Sequence, residues 1–211
     1  MKNYKQALEQ LVAELDNNPN IKVLEFQIQE PLQELSPLLA KIPTPYQDIF
    51  PKELIEMYKQ MNGFKLVWEP IETLQVKYNN WTLPWNYPPC YNELLPFHQV
   101  FVNHSQIINW FEDEQEYPLD LAYHFFLDHD QEEQGTFLLG TNQAFHLHYI
   151  HSQGEDVDKL DMNIDEWFDA FIAECGYFCW QDRFIKNIYS DDVIGNERYK
   201  NWFKALFGDL R

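Results

Sequence analysis

The apolar residues of this chain recur at helical spacing near both ends and alternate through its middle. That change of period restricts the fold more than any other feature. Near the N-terminus, Tyr4, Leu8, Leu11, Val12 and Leu15 share one helical face, and Asn17, Asn18 and Pro19 stop the run. Residues 21–28 are rich in β-branched and aromatic side chains and predict a strand. Residues 32–42 read as a short helix at Pro37, cut off by Pro43 and Pro45. In residues 50–68, Pro51 suits a first helical position. Leu54, Ile55, Tyr58 and Met61 form a stripe, Asn62-Gly63 ends the helix, and residues 64–68 follow as a strand. A second strand is expected within residues 71–78.

Residues 79–100 hold Trp81, Trp85, Tyr87, Tyr91 and Phe97 among Pro84, Pro88, Pro89 and Pro96, a stretch too broken for long regular elements. Trp81, Trp85, Tyr87 and Tyr91 fit either an exposed platform for a sugar or a protein or a plug folded back over the core, and the plug is favoured because exposed aromatic patches are uncommon on soluble proteins. Ser105 is placed to cap a short helix. Residues 121–127, 136–140 and 145–150 read as three successive strands, the last alternating Phe145, Leu147 and Tyr149 against His146, His148 and Ile150. A helix starts near Asp165, with acids in its first turn and Trp167, Phe168, Phe171, Ile172 and Cys175 on its apolar face. A last helix spans about residues 196–207. The order gives an α+β fold in which a twisted, largely antiparallel sheet is flanked by N-terminal and C-terminal helices. Residues 1–211 are expected to form a single domain.

The acidity is unevenly spread. Of the net charge of −19, −15 falls on residues 112–169, where sixteen acids face the single base Lys159. Direct binding of nucleic acid or of an anionic membrane would start from repulsion, so a basic protein is the expected partner. No run of about 18 apolar residues predicts a membrane-spanning helix. The N-terminus lacks the pattern of a secretory signal. Cys90, Cys175 and Cys179 are too few, and odd in number, for a disulfide framework. A cytoplasmic location is expected.

Catalytic and metal motifs fail on spacing. Asp128, Asp130 and Glu132 stand at alternate positions like the start of a calcium loop. Glu133 then replaces the required glycine and Leu139 the closing glutamate. His146, His148 and His151 with Cys175 and Cys179 lack the tight pairs of a zinc site. No nucleophile elbow, phosphate loop or dinucleotide-binding turn is present. No cofactor and no catalytic residue is expected.

Three segments in order resemble the SUKH superfamily, whose fold is shared by many bacterial immunity proteins and a yeast regulator of cell-wall synthesis. The first is Pro51, the Leu54/Ile55/Tyr58/Met61 stripe, Asn62-Gly63 and a strand ending in Trp68. The second is FFLDHDQEEQGTFLLG, residues 125–140, which resembles a strand, acidic turn and strand. The third is DEWFDAFIAECG, residues 165–176, which resembles the closing helix. The similarity covers roughly residues 22–180, leaving an N-terminal helix and a C-terminal helical extension outside it. The resemblance implies a non-catalytic immunity protein that binds and neutralises a cognate basic toxin domain, such as a nuclease. The alternative it implies is a regulatory or scaffold module in cell-wall or signalling assemblies. The residues expected to capture the partner are Asp128, Asp130, Glu132 and Glu133 in the turn, with Glu112, Asp113, Glu114 and Glu116 before it. Trp68 or Trp110 is the candidate aromatic anchor.

Overall fold

The fold is taken from a computed structural model, which describes residues 2–42, 44–78, 81–83, 85, 88–100, 123–126, 128–129, 135–140, 144–150, 157–178, 180–185 and 193–208. Helix α1 (Tyr4–Asp16) begins at Asn3, whose side chain accepts the Gln6 N–H, and buries Tyr4, Leu8, Leu11 and Leu15. It leads through a tight turn into β1 (Ile21–Ile28) and packs on that strand. Two single turns follow, α2 (Ser36–Leu39) and α3 (Thr44–Gln47), then α4 (Lys52–Tyr58) and β2 (Phe64–Pro70). β3 (Val76–Tyr78) and β4 (Trp81–Leu83) make a small hairpin of their own. β5 (Cys90–Leu94) and the single turn α5 (Phe97–Val100) precede β6 (Tyr123–Phe126), β7 (Asp128–His129), β8 (Gly135–Gly140), β9 (Phe145–Ile150) and β10 (Val157–Leu160). Helix α6 (Ile164–Ala173), a 3-10 turn (Trp180–Phe184) and helix α7 (Val193–Phe207) close the chain.

The chain is an α+β protein with antiparallel pairing throughout its described ladders. The strands form two four-stranded sheets, ordered β1-β2-β5-β7 and β10-β9-β8-β6. The aromatic stretch therefore contributes a central strand: β5 pairs β2 from Phe64↔Leu94 to Trp68↔Cys90. The expected hairpin of residues 125–140 is formed by β6 and β8, in register from Tyr123↔Gly140 to Phe126↔Phe137. Its connection carries β7 across to the other sheet, where Asp128 pairs with Leu94.

Helix α6 binds the two sheets together. Its N-terminus has a full capping box, in which Glu166 N–H donates to Asn163 Oδ1 and Asn163 N–H to Glu166 Oε2. Its C-terminus has a Schellman pair, Gly176 N–H to Phe171 O at 3.0 Å and Cys175 N–H to Ile172 O at 3.2 Å. The left-handed position there is held by Cys175 rather than glycine, at φ 57°. Towards the first sheet, the Phe171 ring lies 5.3 Å from Phe64, and the Trp68 indole N–H donates to Cys175 O at 2.9 Å. Towards the second, the Trp167 N–H donates to Thr136 Oγ1 at 3.3 Å. Buried residues of both sheets and of α1, α4, α6 and α7 form one apolar cluster. Trp85 joins it edge-on to Tyr177 and Trp202, so this aromatic of the broken stretch does fold back over the core. Among the described residues, no helix is long and apolar enough to cross a membrane.

Candidate partner-binding site

The acids of α6 have two kinds of work. Asp165 accepts the Tyr4 hydroxyl, and its carbonyl oxygen accepts from Lys2 Nζ at 2.7 Å. Asp169 pairs with the same ammonium at 2.6 Å. The Lys2 ammonium also lies 5.4 Å from the Phe168 ring centroid. Burial, the hydrogen bond to Asp165 and the charges of Asp165, Glu53 and Asp169 hold the Tyr4 phenol well above its ordinary range. Glu166 completes the capping box. These three acids of α6 thus fasten the N-terminus and start the helix, and only their remaining field is available to a partner.

The residues expected to capture that partner divide as follows. Asp128 sits in β7, at the end of the first sheet opposite β1. Asp130, Glu132, Glu133, Glu112, Asp113, Glu114, Glu116 and Trp110 lie outside the described residues, as does the short helix expected after Ser105. Trp68 is fully buried and its N–H is spent on Cys175 O, so it is a core residue and not an anchor presented to a partner. The alternation of β2 had already put it there, with Phe64, Leu66, Trp68 and Pro70 all inward.

A second feature was not anticipated. Where α4, β8–β9 and the start of α6 meet, they leave an open groove of about 400 Å³. Buried Leu138, Leu147 and Ile164 make its floor, and half-buried Ile49, Phe145 and Met162 make its walls. Phe145 is held on edge by Tyr46 and Phe50, at 6.0 and 5.4 Å between ring centroids. Among the described residues, Glu53 is the one acidic side chain lining the groove, and it is exposed and makes no ion pair with them. The lining residues come from segments about a hundred positions apart, so no local pattern could have announced them.

His146 and His148 do lie on one face of β9. Burial first, then the neighbouring His146 and Lys159, push His148 down to about 4, against the pull of the His146 carbonyl 3.3 Å from its Nδ1. The His148 ring stacks on Phe137 at 5.4 Å. Cys175 is buried against the first sheet, while His151 and Cys179 lie outside the described residues. Among the described residues, no three His, Cys, Asp or Glu side chains come together to hold a metal ion.

No family model, no curated protein and no solved structure matches the chain.

Proposed function

We propose that this protein is a non-catalytic binding protein of the immunity type, which seizes a cognate basic toxin domain in the cytoplasm and blocks it. The observation that carries this reading is the charge inventory. With 15 Lys and Arg against 34 Asp and Glu, at least nineteen carboxylates have no cation of their own chain. Sixteen of the acids lie in residues 112–169, and only Lys159 lies with them. Such a field repels itself in the folded state and attracts a basic surface, speeding encounter while excluding acidic competitors. The order of the three SUKH-like segments adds the kind of partner.

The test is co-expression with the toxin domain encoded beside the gene, read as survival of the host, together with stopped-flow association of the purified pair. Replacing Asp128, Asp130, Glu132 and Glu133 by Asn and Gln should slow association about tenfold at low salt and flatten its salt dependence. Survival without complex formation, or an unchanged on-rate in the neutralised variant, removes the reading. A gene with no toxin beside it, and a host assembly that retains the protein, would favour the scaffold alternative.

A further inference from the structure

We infer that the groove between α4, β8–β9 and the start of α6 is an anchor pocket for one apolar side chain set between basic residues of a protein partner. The inference deepens the binding function proposed above and rests on it. Two properties of the groove select this occupant. Its floor and walls are hydrocarbon, contributed by Leu138, Leu147, Ile164, Ile49, Phe145 and Met162, and its volume of about 400 Å³ takes one large side chain together with the aliphatic stems of its neighbours but not a whole element. Its mouth is anionic. Glu53 lines it, and exposed Asp48 stands next to Ile49 of the wall; neither is paired among the described residues. Asp161, next to Met162, is exposed as well, and Asp165 and Asp169 lie close enough to Glu53 for all three to act on Tyr4. Among the described residues, the cations near this end include Lys2, already bound to Asp165 and Asp169, exposed Lys52 in the first turn of α4, and exposed Lys159, which acts with Asp161 on His146.

At the start of α6 the capping box occupies the Glu166 and Asn163 amides, and Asp165 and Glu166 add negative charge to the first turn, so an anion is repelled there. An acidic amphiphile is therefore repelled by the carboxylates of the mouth, while a lysine- or arginine-flanked leucine finds both hydrocarbon and carboxylate. A buried side chain ringed by rim charges is the arrangement in which one residue dominates an interface.

The probe is an acetylated, amidated pentapeptide with one leucine between two arginine pairs, titrated into the full chain labelled at its methionine methyls. The chain has four methionines; Met57 and Met61 are fully buried elsewhere in the core, and Met162 reports on the groove. The expected result is a saturable shift of Met162 with Met57 and Met61 still. Exchanging leucine for glycine, or the arginines for glutamates, should weaken binding by about tenfold or more. Glu53→Gln should weaken it about threefold at low salt, and Ala144→Phe, which fills the groove, should abolish it. Glu53 is exposed, so its variant leaves the fold intact and keeps the test decisive if Ala144→Phe does not fold.

Equal binding of the glycine or glutamate peptide overturns the inference. A Met162 shift that depends on protein concentration without peptide does so too, because a second copy would then be the occupant. A chain that neutralises the toxin while Met162 ignores the arginine–leucine peptide loses the groove and keeps the function. The reverse result keeps the groove and loses the toxin.

Discussion

Single residues in this chain were legible in kind more often than in cause. Gly63 is the clearest instance. By its residue types Asn62-Gly63 reads as the stop of a helix, but α4 ends at Tyr58, capped by Lys59. Asn62-Gly63 instead docks the end of β1, through Asn62 N–H to Gln29 O and Gln29 N–H to Gly63 O, while Asn62 Oδ1 takes the Phe97 N–H. Gly63 has φ +105°, and a Cβ there would stand 2.5 Å from the Leu94 carbonyl oxygen. The glycine requirement was visible in the sequence; the β5 backbone that imposes it comes from thirty residues away and was not. His148 yields a prediction at this scale. Its ring is neutral in the fold, with a pKa lowered to about 4 from 6.5. The unfolded chain therefore takes up a proton that the fold refuses, and stability is lost as pH falls from 6.5 toward 4. Between pH 7 and pH 5 the loss from this side chain is about 2 kcal/mol. Urea unfolding across that range should show a shallower pH dependence in His148→Leu than in the parent. Parallel curves would mean that His148 stays solvated.

At the scale of elements, periodicity located α1, β1, β2, β8, β9, α6 and α7 within a few residues, because each buries one face in a regular rhythm. It missed β5 for a physical reason. That strand alternates buried and half-buried residues like any other, but one of the buried positions is Asn92, whose amide donates to Gly176 O at 2.8 Å. A buried polar residue satisfied from the far end of α6 breaks the hydrophobic pattern without breaking the strand. It missed β10 because Val157–Leu160 is short and carries Asp158 and Lys159. The same helix end shows how α6 holds its neighbours. Glu174 pairs with Arg183 and accepts the Tyr199 hydroxyl at 2.9 Å, tying the 3-10 turn and α7 to the C-terminus of α6. Its N-terminus depends on the capping box. Asn163→Ala removes the acceptor for Glu166 N–H and should lower stability by about 1 kcal/mol. Asn163→Asp, which keeps an acceptor and adds charge where the helix dipole favours it, should restore that loss. Thermal or urea unfolding of the three proteins decides the point, and an unchanged midpoint for Asn163→Ala would leave the cap without energetic weight.

For the molecule as a whole, charge is the property that sequence stated outright and structure then divided. Asp165, Glu166 and Asp169 are engaged in holding the N-terminus and starting α6, so the net −15 of residues 112–169 overstates the field a partner meets. The rest of the net −19 still has to be confined in one fold. Salt acts on this confinement and on partner capture with opposite signs. Raising sodium chloride from 0.01 to 0.5 M shortens the Debye length from about 30 Å to roughly 4 Å and screens repulsion among exposed carboxylates. Stability should therefore rise, by about 1 kcal/mol or about 2–4 °C in Tm for a chain of this size. Over the same range the on-rate for a basic partner should fall, because the same screening removes the steering. Calorimetry and stopped-flow on one salt series measure the two together. A midpoint that stays flat would mean that the carboxylates are spaced too widely to repel, and the acidic field would then lose its claim to act on a partner at a distance. A midpoint that rises while the on-rate falls ties both effects to the same exposed charge, and a variant neutralised at Asp48 and Glu53 should then lose part of each.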